Sequence, residues 1–258
     1  MSTMDATFSL PQASALPTHE VRSELGPWGF WGSLGWGLCA AVTGIVAFFI
    51  YMIIWMLTHQ FRLVDPQDLS FSMVAGIASL TAPIAMLAIA VKVRKFSLRD
   101  YFALKGFALR DLVLGIACFV ALMAAFVGMQ LLLGINGGSE HVEASYRAAK
   151  AAGLLPLLWL SVVVVAPVTE ELIFRGFLHR GWAPSWLGVS GTVVVTSALW
   201  ALLHQQYNVL GILFIFVMGL IYGWLRQRSN STLLPMVLHT VNNLWATGFV
   251  AIQVELLS

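Results

Sequence analysis

Charged residues are scarce in this chain. Only 10% of its 258 residues are Asp, Glu, Lys or Arg, 59% are hydrophobic, and the mean hydropathy is +0.84. A soluble domain typically has about a quarter of its residues charged. The net charge is only +2 and the basic residues are dispersed, so the sequence predicts no nucleic-acid partner. This composition predicts a membrane protein, with membrane lipid as its surroundings.

Cysteine is also scarce. Cys39 and Cys118 both lie inside apolar stretches, where a disulfide framework has no basis, and they are interpreted as small apolar side chains. No serine or cysteine with an adjacent base is evident, which argues against an acyl-enzyme intermediate. Internal repeats and low-complexity tracts are absent from the sequence, and nothing in it indicates an oligomeric state.

Long apolar stretches account for most of the sequence. A transmembrane helix needs about 20 mainly apolar residues, and the stretches here are continuous rather than alternating, so they favour helices over a β-barrel. The sequence predicts an all-α, polytopic transmembrane helical bundle with about seven (six to eight) spans. The candidates are Trp28–Leu57, Leu69–Val91, Leu112–Leu133, Gly153 to about Arg175 or beyond, Trp186–His204, Val209–Leu225 and Thr232–Val250.

The domain organisation is simple. Residues 1–27 are predicted to be a polar N-terminal tail without the features of a cleavable signal peptide, and residues 28–258 to be one transmembrane domain. With the tail in the cytoplasm, seven spans place 11 of the 14 Lys and Arg residues on the cytoplasmic side. The positive-inside rule therefore predicts an inside N-terminus in the cytoplasmic membrane, in a cell expected to be prokaryotic.

Two carboxylates interrupt the fourth apolar stretch. Glu170 and Glu171 follow a long apolar run, where a charge costs about 2.5–3.5 kcal/mol on insertion scales unless it is paired or faces a cavity. Glu171 and Arg175 are four residues apart, which predicts an internal ion pair on one helix face. Glu170 points about 100° away and needs another polar partner. Pro167 removes one backbone donor and loosens the helix before this pair. The alternative is that both carboxylates are in water at a helix end.

Further polar residues recur in the later spans at helical spacing. His204 has Trp200 one turn before it and Asn208 one turn after it, and His239 and Asn243 lie four residues apart. A single histidine in a membrane helix is as consistent with an interhelical hydrogen bond as with catalysis. Several on separate spans indicate a site in the bundle interior, because they can supply a base, proton carriers and hydrogen-bond donors together.

This combination suits hydrolysis of a peptide bond by water. A desolvated Glu170 is a competent general base, and His204 can share that task or protonate the leaving amine. His239 and the Asn243 amide can donate to the developing oxyanion.

The polar residues also match three motifs of a known family. The sequence resembles the type II CAAX prenyl endopeptidase and bacteriocin-processing family, also called the CPBP or Abi intramembrane proteases. Its Glu-Glu-x-x-x-Arg motif matches Glu170, Glu171 and Arg175. Its Phe-x-x-x-His motif matches Trp200 and His204, with Trp in place of Phe. Its His-x-x-x-Asn/Asp motif matches His239 and Asn243. The match covers about residues 150–250, which are the predicted catalytic core.

The resemblance implies an α-helical membrane endopeptidase. It makes Glu170 and His204 the residues that activate water, and His239 and Asn243 the oxyanion donors. Glu171, Arg175, Trp200 and Asn208 are expected to support them. The substrate is expected to be a peptide or protein, with prenylated CAAX-like proteins and bacteriocin-related peptides as candidate classes. No cofactor is required in this interpretation.

Alternatives are a zinc enzyme and a protein that is not an enzyme. Glu170, His204 and His239 form a common catalytic zinc set, but Glu171 would then have to act as the base, which conflicts with its pairing to Arg175. A transporter can use intramembrane Glu and His as an ion relay, although the sequence lacks paired Gly- or Pro-broken helices in two halves. A non-enzymatic immunity protein has no need of buried charge.

One geometric question stays open in the sequence. With about 1.5 Å rise per residue, simple spans place Glu170 and His204 at different depths. They meet only if the fourth helix continues toward residue 182, or if the fifth begins well outside the hydrocarbon.

Overall fold

The computed structural model describes residues 28–60, 69–135 and 140–256, and the predicted tail, residues 1–27, lies outside these ranges. The described chain is helical and contains no strand. Its helices are α1 (Gly29–Thr58), α2 (Leu69–Val93), α3 (Leu98–Tyr101), α4 (Leu109–Leu133), α5 (Glu140–Ala151), α6 (Leu155–Trp182), α7 (Gly188–Leu202), α8 (Val209–Ser229) and α9 (Leu233–Leu256).

Five of these helices, α1, α2, α4, α6 and α8, are long and apolar enough to cross a membrane. Helix α7 is apolar but has only 15 residues, and α9 has 24 residues that include the polar His239 and Asn243. These seven elements correspond to the seven predicted stretches. The predicted class, an all-α membrane protein, is confirmed.

The bundle has an inner and an outer layer. Helices α1 and α4 expose rows of large apolar side chains along most of their length, as expected for surfaces that face lipid. The buried core lies between α6, α7 and α8 and includes Phe177, Trp200, Met218, Tyr222 and Leu225. The two cysteines are free and lie on the outer helices α1 and α4, in agreement with their predicted role as apolar side chains.

Helix α6 continues past Arg175, which is one of the two alternatives that the sequence left open, and answers the geometric question. It continues as one helical segment to Trp182, where the indole Nε1 donates to the Phe30 carbonyl at 3.2 Å. Its 28 residues span roughly 42 Å, more than the ~30 Å hydrocarbon thickness. Glu170 therefore lies near the middle of α6, at a depth that residues at the end of α7 can reach.

Helices α7 and α8 approach closely because two glycines face α7. A Cβ added at Gly219 would lie 2.8 Å from Ser197 Cβ, and one added at Gly223 would lie 2.8 Å from Val193 Cγ1. Small residues at four-residue spacing are a common means of close helix packing in membranes. The Gly219 carbonyl also accepts a hydrogen bond from Arg175 Nη2 at 3.1 Å, so this approach positions a residue of the candidate site.

We expect Gly219→Ala to destabilise the protein by about 1–3 kcal/mol, because the methyl group overlaps a packed side chain and the helices must separate. The loss is measurable as a lower thermal unfolding midpoint of the purified protein in detergent. Gly128→Ala in α4 is the matched control, since a Cβ there has nothing within 4 Å. Equal midpoints for both variants would contradict the proposed packing.

Candidate active site

Two π-helical turns interrupt α6, at Leu160–Val165 and Leu172–Leu178. In such a turn each N–H donates to the carbonyl five residues earlier, as Ala166 does to Ser161. The next residue is Pro167, which has no N–H for the Val162 carbonyl. Asn243 Nδ2 of α9 supplies the missing donor at 2.9 Å. The predicted loosening at Pro167 is thus present, and it ties α6 to α9.

Glu171 and Arg175 form the predicted ion pair. Arg175 Nη1 lies 3.1 Å from Glu171 Oε1, and both side chains are fully buried. The same carboxylate oxygen accepts from His239 Nδ1, also at 3.1 Å. The Arg175 guanidinium stacks over the Trp200 ring, with its Cζ 4.7 Å from the ring centroid. The Glu171 carboxylate therefore links α6 to α9 through His239, and Arg175 balances its charge.

Glu170 has the separate environment that its position on the helix predicts. The indole Nε1 of Trp200 donates to its Oε2 at 2.5 Å, and His239 Nε2 lies 4.0 Å from the same oxygen. The Glu170 side chain is 17% exposed, whereas that of Glu171 is completely buried. Glu170 is thus the carboxylate of the pair that a water molecule or a substrate can reach.

His204 lies just beyond the end of α7, next to Trp200. Its Nδ1 lies 2.8 Å from the Trp200 carbonyl oxygen. A carbonyl can only accept, so Nδ1 carries the proton and Nε2 of the neutral ring has a free lone pair. The ring centroids of His204 and His239 lie 5.3 Å and 5.1 Å from that of Trp200. The structure therefore brings Glu170, His204 and His239 together around one tryptophan.

The remaining predicted residues have structural partners. Asn208 caps α8, with its Oδ1 accepting from the Gly211 N–H at 2.9 Å. The Asn243 amide donates one N–H to Val162, and its Oδ1 accepts from Asn242 Nδ2 at 3.0 Å. A primary amide has two N–H groups, so Asn243 retains a second donor.

Two tyrosines at the site were not predicted. The Tyr207 ring stacks on His204 at 6.3 Å, and Tyr222 is buried with its ring 5.7 Å from that of His239. Burial and the nearby Glu170 carboxylate raise the pKa of Tyr207, so its hydroxyl keeps its proton. Tyr207 follows His204 by three residues in a short loop, and that proximity is the one sequence signal for it. No sequence signal indicates Tyr222, because it is one of several aromatic residues in an apolar helix.

The alternative zinc set consists of Glu170, His204 and His239. Among the described residues, no three His, Cys, Asp or Glu side chains are grouped as a metal ion requires. His239 Nδ1 is already bonded to Glu171, and its Nε2 faces Glu170. The residues present do not fit a zinc site, and we derive no step through a metal.

The fold and the buried side chains define a helical membrane protein with a cluster of polar residues in its interior. Residues 152–245 match the family model described as Type II CAAX prenyl endopeptidase Rce1-like, whose description is that of a peptidase. The family predicted from the three motifs is thereby confirmed over these residues.

A curated relative points no further toward a substrate. The chain is 34% identical over 133 residues to an Escherichia coli protein described as an uncharacterized 24.3 kDa protein. That match covers 48% of this chain and 59% of the relative. No solved structure matches the chain.

Proposed function

We propose that this protein is an intramembrane endopeptidase that hydrolyses a peptide bond with water activated by Glu170 and His204. The observation that carries the proposal is the meeting of Glu170, His204 and His239 around Trp200, each on or next to a different helix. The match to a prenyl endopeptidase family over the same residues supports it.

In the proposed reaction, Glu170 removes a proton from water while the water oxygen bonds to the scissile carbonyl carbon. The free lone pair of His204 Nε2 accepts the second water hydrogen as a hydrogen bond and so orients the nucleophile. The C–N bond then breaks, and the proton held by Glu170 is transferred to the leaving amine. Trp200 holds the Glu170 carboxylate in place through its indole N–H.

The developing oxyanion needs donors within hydrogen-bond distance. His239 donates its Nδ1 proton to Glu171, and a doubly protonated ring would also donate from Nε2. The second N–H of Asn243 is the other proposed donor. Glu171 and Arg175 act as positioning residues, since they hold His239 and Trp200 rather than the substrate.

The proposed substrates are peptides or proteins that reach the site from the membrane, either prenylated CAAX-like chains or bacteriocin-related peptides. We place the protein in a cytoplasmic membrane with its N-terminus inside. The ends of α6 and α8 would then be on the cytoplasmic side, where Arg228 pairs with Asp111 of α4 at 2.9 Å. This orientation agrees with the positive-inside distribution of the sequence.

The test is direct hydrolysis by purified protein in lipid nanodiscs, with a library of prenylated and unmodified peptides analysed by mass spectrometry. The wild type is expected to produce a new amine and a new carboxylate. His204→Ala and His239→Ala are each expected to remove the activity while the folded protein persists. Full activity in either variant would exclude its proposed role, and a complete absence of products with all peptides would contradict the proposal.

Chelation distinguishes the two catalytic types. Because the donor groups do not assemble around a metal position, we expect activity to survive dialysis against EDTA and phenanthroline. The control is the same dialysis followed by added zinc, which should change nothing. Loss of activity that zinc restores would show instead that the protein is a metallopeptidase.

A further inference from the structure

A second polar cluster, with two buried residues and one half-buried residue, lies at one end of the bundle, apart from Glu170. It consists of His179 and Arg180, near the end of α6, and Arg226, near the end of α8, and is called the basic cluster below. Arg226 is 3% exposed and His179 is 4% exposed. Arg180 and Arg226 both lie close enough to His179 to act on it electrostatically, and Arg180 acts on Arg226.

No described carboxylate balances this charge. Arg175 pairs with Glu171, and Arg228 pairs with Asp111, but neither Arg180 nor Arg226 forms an ion pair within residues 28–60, 69–135 and 140–256. The side chain of Arg226 donates to neutral groups, the Arg175 carbonyl at 3.0 Å and Asn230 Oδ1 at 3.3 Å. Buried cations without a counter-charge are costly, so this arrangement indicates a missing anion.

Donors without acceptors point into the same region. His179 Nε2 and Arg180 Nε are buried and have no hydrogen-bond partner in the described chain. Tyr101 of α3 lies close enough to Arg180 to interact with it electrostatically, and Ser33 of α1 packs against Gly181, the next residue. The buried hydroxyls of Tyr101 and Ser33 have no described partner beyond each other. Burial raises the pKa of Tyr101 to about 12, against the opposing effects of Ser33 and Arg180, so this hydroxyl remains a donor. Four helices thus contribute groups that need an oxygen acceptor.

The surroundings are those of a membrane interface. Phe30 contacts Trp182 at 5.1 Å and Trp186 at 5.4 Å between ring centroids, and the Arg94 guanidinium lies over Trp28 at 4.6 Å. Tryptophan rings and cations at helix ends are typical of the lipid headgroup level. An anion available at that level in quantity is the phosphate of a lipid headgroup, and arginine forks fit its oxygens.

We propose that the basic cluster binds the phosphate group of an anionic lipid headgroup at this interface. Arg180 and Arg226 would contact the phosphate oxygens, and His179, Tyr101 and Ser33 would complete the set of donors. The site is separate from the proposed peptidase site and does not depend on it.

The experiment uses the full chain in dodecylmaltoside, with the thermal unfolding midpoint and native mass spectrometry as readouts. Four additions are compared at constant ionic strength: phosphatidic acid, phosphatidylcholine, oleate and inorganic phosphate. The wild type is expected to retain one phosphatidic acid molecule and to gain stability from it, more than from phosphatidylcholine or oleate. Equal effects of oleate would overturn the assignment to phosphate. Stabilisation by inorganic phosphate without retention of the lipid would overturn the assignment to a headgroup.

Arg180→Gln is the decisive variant, because this side chain has no described hydrogen bond or ion pair. Retention of phosphatidic acid is expected to fall about tenfold or more, the effect of losing one charge-assisted hydrogen bond. Without lipid the variant should be no less stable than the wild type, since it removes an unpaired cation. Arg180→Lys keeps the positive charge but lacks the paired N–H donors of the guanidinium, so it should bind phosphatidic acid with intermediate strength. Arg110→Gln is the control, as Arg110 is an exposed arginine at the same end of the bundle. Equal loss of retention in Arg110→Gln, or none in Arg180→Gln, would overturn the proposal.

Discussion

Glu170→Gln is expected to lower peptide hydrolysis by about 10²–10⁴-fold, the usual contribution of a general base. Glutamine keeps the shape of the side chain, and its amide oxygen can still accept from the Trp200 indole, so the fold and the position of the side chain should persist. What the variant cannot do is take a proton from water. The measurement is kcat on whichever peptide the wild type cleaves, with the unfolding midpoint taken in parallel.

The control for this variant is Glu143→Gln in the amphipathic helix α5. Glu143 pairs with Arg147 on an exposed surface, so its neutralisation should leave kcat unchanged. Hydrolysis at the wild-type rate by Glu170→Gln would show that this carboxylate is not the base. The role of general base would then have to be assigned to His204.

The second large effect concerns stability. Arg175→Met is expected to destabilise the fold by about 3–5 kcal/mol, because it leaves the Glu171 carboxylate buried and uncompensated. The double variant Glu171→Leu with Arg175→Met should recover much of that loss, since it removes both charges from the interior. Reversible unfolding in mixed detergent, followed by tryptophan fluorescence, measures the two free energies.

The chain offers a matched control for this experiment. Glu143 and Arg147 have the same residue types and the same four-residue spacing as Glu171 and Arg175. Their side chains are 39% and 49% exposed, against 0% and 1% in the buried pair. An exposed pair of this kind contributes at most about 1 kcal/mol, so Arg147→Met should change stability little. Similar losses in both single variants would mean that burial does not decide the strength of the interaction.

The sequence predicted the helices better than it predicted the contacts between them. Hydropathy located every long helix, and four-residue spacing predicted the Glu171–Arg175 pair, because both signals are local. The partner of Glu170 was not predictable in the same way. The contact with Trp200 joins two helices whose relative depth depends on where α6 ends, and hydropathy does not decide that end.

Other contacts depend on backbone geometry that leaves no simple pattern in a sequence. Pro167 indicated a local weakness in α6, but the freed Val162 carbonyl and its donor Asn243 follow from a π-helical turn, which has no clear sequence signature. Likewise, the positive-inside rule counted Arg180 and Arg226 as charges of one sign on one side. It could not show that Arg226 is buried beside the half-buried Arg180.

The π-helical turns also decide how α6 responds to a change in its length. Each such turn takes up one residue more than an α-helical turn, so deleting a single residue between 160 and 165 would let the helix return to α geometry, and the residues beyond it would keep nearly the same faces. A deletion in the α-helical stretch between the two turns, for example of Val168, would instead rotate everything beyond it by about 100°. Glu171 would then take the direction that Glu170 has now, and Glu170 would turn away from Trp200. The arrangement of the site can therefore be lost through an apolar deletion that removes none of the polar residues.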